Sequence, residues 1–417
     1  MAPKHSEFPY FRKPAVLFDR ALRYLLSKKL SKFKYGRVAL RDGVWCQEFG
    51  QLGGSVIEAH VEVHDSRAYR AFVLGGTIGA ADAYASGWWS SDDLTALIRI
   101  AARNRSAVDS LDGLLSRVSV FVHGIIHRMH VNWRSQSRRN ISAHYDLGNE
   151  FFSHFLDSSM MYSCAIFPSE SATLEEASRY KIDRVCQKLK LVESDELLEI
   201  GTGWGSLAIH AAANYGCRVT TTTISAEQYR HAVAAVQQAG LEDRVTVLNV
   251  DYRDLPHLLD RQFDKLVSIE MLEAVGQRFL DRYFSVCDRL LKPGGMMVLQ
   301  TIVIADELYE TYRRSVDFIQ RYIFPGGFLP SVSDIRKRLS SITGLSVSNI
   351  DDISDHYPRT LRMWRDRFSA NKDHLQALGY SKRLLRLWEY YFCYSEGGFL
   401  ERSVGDVQFV LTKRDAV

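Results

Sequence analysis

Apolar and polar positions along this 417-residue chain follow two different rhythms. From residue 178 onward, short apolar runs alternate with longer stretches of helical spacing. The runs at 197–200, 218–224, 245–250, 263–269 and 296–302 are continuously apolar or β-branched and of strand length. Between them the spacing predicts helices, one opened by Ser225 as N-cap and stopped by Gly240, another running to Leu291. Strands of that kind, interleaved with helices, predict a parallel sheet covered on both faces. Ligands of such sheets sit at the carboxyl ends of the strands. Further on, helices are expected over 306–320, near 360–370 and over 381–394, and a β-like segment at 407–412 closes the chain.

The first part of the chain reads differently. Residues 15–33 space Leu17, Ala21, Tyr24, Leu25 and Phe33 at near-helical intervals with cations mostly between them, predicting an amphipathic basic helix. From 36 to 75 the period shortens, and strands are expected at 37–45, 55–63 and 68–74, with turns at Asp42-Gly43 and Gly53-Gly54. A glycine-and-aromatic segment, 75–89, and a helix over 94–103 follow. This predicts a small α+β domain without catalytic features. The boundary is expected near 132/133, in a polar, basic linker around 133–140. The fold class expected is therefore α/β, a Rossmann-like sheet with helical insertions plus the small N-terminal α+β domain.

Composition narrows the reading only a little. Apolar content of 46% and charged content of 24% are those of an ordinary globular protein. No run is long enough to span a bilayer and no signal-peptide pattern opens the chain, so a cytoplasmic protein is expected. The six cysteines are scattered without a C-x-x-C pair, which argues against structural zinc or a disulfide framework, and no metal site is expected. Net charge is +4, yet residues 1–40 carry ten Lys or Arg against Glu7 and Asp19. A second excess comprises Arg103, Arg105, Arg117, Arg128, Arg134, Arg138 and Arg139. Such a distribution is either a solvated face or one that attracts an anionic surface, lipid headgroups or nucleic acid.

The chemistry begins at Glu199-Ile200-Gly201-Thr202-Gly203-Trp204-Gly205, where a strand ends, turns and opens a helix. Glycines at such a turn let a ligand approach the backbone. The dinucleotide fingerprint G-x-G-x-x-G is not matched, because the spacing here is G-x-G-x-G with bulky Trp204 inside. Glu199, just ahead of the glycines, would sit badly beside a pyrophosphate yet suits the cationic end of S-adenosylmethionine (SAM). The turn therefore favours SAM over NAD. Upstream, Tyr145, Phe151, Phe152, Phe155, Tyr162 and Phe167 form an aromatic-dense stretch that is either core or the lining of an apolar cavity.

Several further motifs, in order, resemble the cyclopropane fatty-acyl-phospholipid synthases and the related mycolic-acid-type methyltransferases. They are His144-Tyr145-Asp146-Leu147-Gly148-Asn149 with Met161-Tyr162-Ser163-Cys164-Ala165; the glycine turn with Ile224-Ser225-x-x-Gln228; Glu270-Met271-Leu272-Glu273-Ala274-Val275-Gly276; and Tyr357-x-x-Thr360-Leu361-x-x-Trp364. Gly87-Trp88-Trp89 is similar to that family's accessory domain. The resemblance implies an N-terminal accessory domain, residues 1–132, docking on lipid, and a SAM-dependent methyltransferase domain, 133–417, with an acyl-chain pocket. It implies methyl transfer from SAM to a cis double bond of an unsaturated acyl chain on phospholipid, with cyclopropane formation.

By the same resemblance Tyr162, Ser163, Gly201, Gly203, Gln228, Tyr252 and Arg253 fall where the family holds SAM, with Glu199 and Ile224 beside them. Cys164, Glu273, Ile302 and Tyr357 fall where it holds a bicarbonate ion. One position departs: Gln300 stands where many members carry histidine, and Ala274 where a histidine often follows the acid. Glutamine can donate to an anion but cannot relay a proton, so a methylene or methyl-branched product stays open beside the ring. Read singly, Glu273 is also an acid at a helix start, Cys164 a small buried hydrophobe and Tyr357, before Pro358, a structural tyrosine. The partners implied are phospholipid and the inner face of a membrane, contacted peripherally, rather than nucleic acid; a homodimer stays open. A non-catalytic lipid-binding protein is the alternative of another class.

Overall fold

The computed structural model describes residues 13–51, 57–109, 132, 136, 137 and 147–415. The basic residues Arg117, Arg128, Arg134, Arg138 and Arg139, the turn at Gly53-Gly54, and His144, Tyr145 and Asp146 of the first motif lie outside them. The chain divides into two compact units, one of residues up to 123 together with 380–390, the other of 124–379 and 391–417.

In the first unit four strands, β1 (Gly36–Asp42), β2 (Trp45–Gln51), β3 (Glu58–Val63) and β4 (Trp89–Ser91), form a sheet in the order β2-β1-β3-β4. β1 and β2 are a hairpin, and β1 runs parallel to β3. The helix Lys13–Leu30 turns Asp19, Leu22 and Leu26 inward, while Phe18, Tyr24 and Leu25 are exposed. The buried stripe is thus shifted from the one expected: Leu22 and Leu26 supply it, and Tyr24 and Leu25 face outward beside the lysines. Residues 68–74 are not a strand but the start of the helix Arg67–Ala85, kinked at Gly76. A seven-residue apolar run does not distinguish strand from helix; here the alanine-rich continuation, with Ala81, Ala83, Tyr84 and Ala85 buried, extends the helix past strand length.

The second unit is built on seven strands: β5 (Glu196–Ile200), β6 (Arg218–Thr222), β7 (Val245–Leu248), β8 (Phe263–Ile269), β9 (Leu291–Ile304), β10 (Leu345–Asp352) and β11 (Val404–Lys413). Their order is β10-β11-β9-β8-β5-β6-β7. The five from β9 to β7 are parallel; β11 is antiparallel to β9, and β10 to β11. Successive apolar residues split between two cores, which explains the unbroken apolar strands. Leu197, Val267, Val298 and Val410 face the helices Leu174–Leu189, Ser206–Tyr215 and Ala226–Gln238. Leu198, Leu266, Met297 and Leu411 pack with Leu280, Tyr283, Phe284 and Leu339 on the opposite face. The chain leaves β5 first towards β6 and β7, then returns to β8 on the other side, so the glycine turn sits at the switch point, where sheets of this kind bind ligands. The helix expected over 306–320 stops at Tyr312, and Asp317, accepting the Gln320 N–H at 2.8 Å, starts a separate turn.

Candidate active site

The cofactor half of the site lies at the carboxyl ends of the adjacent strands β5, β6 and β7. Gly201, Gly203 and Gly205 have φ of +105°, +54° and +98°, which residues with a side chain rarely adopt. The N–H groups of Gly201 and Thr202 both donate to the Thr222 carbonyl, at 3.0 and 3.1 Å, fastening the turn to β6. Among the described residues a Cβ on Gly203 would meet nothing within 4 Å, which leaves room over it for a ligand. A Cβ on Gly201 would stand 3.1 Å from Met271 Cγ, which brings the segment after β8 directly against the turn. Trp204 takes its bulk away from the turn: it is buried, packs on Phe152 and donates its indole N–H to Asn149 at 2.7 Å.

The other residues expected to hold SAM have well-defined neighbours. Gln228 is buried, its backbone N–H on the Ser225 cap and its side-chain carbonyl accepting from Thr223 at 2.9 Å, with Ile224 half-buried between them. Glu199 is also buried and accepts the Thr221 hydroxyl at 2.6 Å; burial pushes its carboxyl up to about 8. Tyr252 and Arg253 form a short turn after β7. Arg253 pairs with Asp251 at 2.6 Å and donates to the Asn132 carbonyl at 2.9 Å and to Ser137 at 3.1 Å, so its charge is engaged within the protein. Tyr252 keeps a buried hydroxyl that has no partner among the described residues. Tyr162 reaches the Tyr391 hydroxyl at 3.1 Å, and Ser163 accepts from Lys181 at 2.6 Å.

The acceptor half is organised by a residue the sequence reading did not single out. Glu270 follows β8 with φ of +46°. Its Oε1 accepts the Cys164 N–H at 2.7 Å and the Gln300 amide at 2.9 Å, and its Oε2 accepts the Tyr357 hydroxyl at 2.5 Å. Gln300 also donates to Asp406 at 2.8 Å and accepts from Gln408 at 2.9 Å, all three being fully buried. Glu273 forms a second group: its Oε1 accepts the Thr301 hydroxyl at 2.9 Å and the Ile302 N–H, while Oε2 is buried with no partner among the described residues. Burial and the nearby Glu270 charge push the Glu273 carboxyl up to about 8, so it is largely neutral at pH 7. Burial and Glu270 together hold Asp406 well above the usual carboxylate range, and Lys181, fully buried nearby, is the cation that offsets this cluster. The Cys164 thiol is likewise held up by burial, so it is a neutral thiol and not a nucleophile.

Of the five residues expected to hold an anion, the fold joins Cys164, Gln300 and Tyr357 through Glu270, and Glu273 with Ile302 next to them. The signals that could have revealed the missed residues were single: an acid at the carboxyl end of a strand (Glu270), a lysine in the apolar register of a helix (Lys181), and an acid at the head of an apolar strand (Asp406). The aromatic stretch resolves into core, since Phe151, Phe152 and Phe155 are wholly buried, Phe151 edge to face with the other two, with Tyr162 half-exposed at its border.

This sheet order, with an open glycine turn at its switch point, defines a SAM-dependent methyltransferase. Residues 133–409 match the model of the mycolic acid cyclopropane synthetase family, and the chain belongs to that family. It is 39% identical over 349 residues, 81% of this chain and 79% of the relative, to the tuberculostearic acid methyltransferase UfaA1 of Mycobacterium tuberculosis. It is 35% identical over 362 residues, 85% of this chain and 88% of the relative, to the cyclopropane-fatty-acyl-phospholipid synthase of Escherichia coli. Among solved structures it is similar to the mycolic acid cyclopropane synthase CmaA1 complexed with SAH and CTAB, at TM-score 0.62 and 33% identity, covering 66% of this chain and 98% of that one. The recognition, the fold class and the cofactor SAM expected from the sequence agree with these findings.

Proposed function

We propose that this enzyme transfers a methyl group from SAM to the cis double bond of an unsaturated acyl chain carried on phospholipid, and that the product closes to a cyclopropane. The observation that carries this reading is the closeness of Met271 to Gly201, which sets the segment that bears Glu270 and Glu273 against the glycine turn. An alkene is a weak nucleophile, so the sulfonium must be aligned with it in a dry pocket. Methyl attack leaves a carbocation, which a nearby anion stabilises, and ring closure then needs a base to remove a proton. In support, the segment against the turn carries the Glu270 carboxylate, and Ile269, Met271 and Ile302 nearby in the chain or sheet are half-buried apolar groups.

A second reading, a methylene or methyl-branched product, is favoured by Gln300, a neutral amide fixed between Glu270 and Asp406 that relays no proton. A relative whose name describes a methyltransferase rather than a ring-forming synthase also supports it. The test is to incubate purified full-length protein and SAM with vesicles of cis-unsaturated phospholipid, then examine the lipids by mass spectrometry and NMR. A gain of one CH2 with ring protons is expected; an exocyclic alkene or methyl branch would replace the first reading by the second, and no adduct would overturn both.

We also infer peripheral contact with an anionic bilayer, from the cytoplasmic side, at the inner face of the membrane. Among the described residues no helix is long and apolar enough to cross one. In support, the helix Lys13–Leu30 exposes Phe18, Tyr24 and Leu25 beside Arg20, Lys28 and Lys32. Aromatic and aliphatic groups among lysines suit the headgroup region of anionic lipid.

A further inference from the structure

The family resemblance assigns a bicarbonate ion to Cys164, Glu273, Ile302 and Tyr357, with Gln300 in place of the usual histidine beside them, and the residues present do not fit it. An anion needs donors, and each donor of that set is already spent on a protein carboxylate. The Cys164 N–H, the Gln300 amide and the Tyr357 hydroxyl converge on Glu270, and the Ile302 N–H on Glu273. What remains among the described residues is the second oxygen of Glu273, one carboxyl group against the several donors an anion needs. An added ion would lie against the Glu270 charge, with Lys181 already the offset for the carboxylates of this cluster.

We propose that the Glu270 carboxylate is itself the anion of this active site, stabilising the cation formed on the acyl chain and taking up its proton, so that the enzyme works without bicarbonate. The inference rests on the methyl-transfer reading above. Its backbone supports it: a residue with a Cβ is held in the left-handed region, where such residues cost free energy and persist only when their surroundings hold them. The Glu270 N–H donates to the Gln300 carbonyl at 2.8 Å, and three side-chain or backbone donors grip the carboxylate, so it is locked from both ends.

The lone pairs identify the reacting oxygen. A carboxylate oxygen has two acceptor sites; among the described residues Oε1 accepts from both Cys164 and Gln300, whereas Oε2 accepts from Tyr357, and the buried Asp406 carboxyl also bonds to Glu270. The less engaged oxygen, Oε2, receives the proton. In the step, the methyl–sulfur bond of SAM breaks as the new carbon–carbon bond forms at one alkene carbon, leaving S-adenosylhomocysteine and a cation at the other. Oε2 then removes a proton from the new methyl, and the C–H electron pair forms the last ring bond. Glu270 ends as the neutral acid and returns its proton to water when product leaves. Removal of a different proton, by the same oxygen, gives the branched alkene.

The test compares the wild-type enzyme with Glu270→Gln and Glu270→Gly in buffer freed of carbon dioxide and in the same buffer with bicarbonate restored. The wild-type rate of lipid methylation is expected to be the same in both. Glu270→Gln is expected to lose roughly 10²- to 10⁴-fold while still binding SAM, read by tryptophan fluorescence. Glu270→Gly, which relieves the backbone and vacates the donors, is expected to be slow without bicarbonate and to regain rate with it. A second readout needs no turnover: ¹³C NMR of labelled bicarbonate should show a bound resonance on Glu270→Gly loaded with S-adenosylhomocysteine and none on wild type. A wild-type rate that falls without bicarbonate and recovers with it, a bound resonance on wild type, or a Glu270→Gln rate within a few-fold of wild type would each overturn the proposal. If wild type methylates no lipid, the methyl-transfer reading fails, and the NMR comparison still decides the anion's place.

Discussion

The hydroxyl of Tyr357 donates to the carboxylate of Glu270 at 2.5 Å, joining the first turn of the helix Tyr357–Ala370 to the residue that follows β8. The ring behind that hydroxyl is fixed as well, stacked on Phe399 at 4.2 Å and buried to 4% exposure. A rigid donor on a short charged bond sets where the Glu270 oxygen points.

Removing that hydroxyl should therefore misdirect the carboxylate without unfolding the protein. A hydrogen bond to a charged group is worth about 1.5–3 kcal/mol, and each 1.36 kcal/mol on a barrier is about tenfold. Tyr357→Phe is expected to slow lipid methylation roughly 10- to 100-fold while SAM affinity is unchanged. Steady-state rates alongside a SAM fluorescence titration check this; an unchanged rate would return Tyr357 to a packing role.

The glycine turn separates strain from ligand space. Gly203, at φ +54°, has open room for a Cβ, whereas Gly201, at φ +105°, would press one on Met271. Gly203→Ala is expected to cost about 1–2 kcal/mol of stability but to weaken SAM binding by about tenfold or more, since the methyl enters the cofactor's space. Gly201→Ala should lose more stability, because strain and the Met271 contact add. Urea unfolding and fluorescence titration of both variants test the contrast, which fails if Gly203→Ala binds SAM normally.

Glu273 carries a pH signature. Its carboxyl is pushed up to about 8 in the folded protein, against 4.5 for the ordinary group, so the native state binds the proton more tightly than the unfolded chain. Stability from this source is present in full below about 4.5 and is lost as pH rises through about 8. Glu199, also pushed up to about 8, has the same sign. The urea midpoint is expected to fall between pH 5 and pH 8, and Glu273→Gln should fall less steeply. Equal slopes would show that Glu273 ionises as freely in the fold as outside it.

The basic helix is tested on vesicles. Substituting Lys28, Lys29, Lys32 and Lys34 by glutamine should weaken binding to anionic liposomes by about 1 kcal/mol per lysine and leave the remainder less sensitive to salt. Sedimentation with vesicles of phosphatidylglycerol and phosphatidylcholine at two salt concentrations reads both effects. Unchanged binding would make that helix a packing element.

The sequence by itself determined whatever depends on neighbours along the chain. Five parallel strands, the Ser225 cap and the glycine turn are local patterns, since strand period, capping and left-handed backbone are written within a few residues. For the same reason Gly201 and Gly203 could be recognised before any fold was known. Local pattern failed where it was ambiguous or weak: residues 68–74 read as a strand and joined a helix, and the polar edge strand β10 was not legible at all.

Only the tertiary structure decided what surrounds Glu270. Glu270, Cys164, Gln300, Tyr357 and Asp406 come from five separate places; the sheet order, β8 against β9 and β9 against β11, brings Glu270 to Gln300 and Gln300 to Asp406, and a loop and a helix start add Cys164 and Tyr357. Spacing along a chain cannot report that convergence, because hydrogen bonds between residues a hundred positions apart depend on strand register and helix placement. The burial that keeps Glu273 and Asp406 protonated, and the place of Lys181 near Glu270, are set by the same packing.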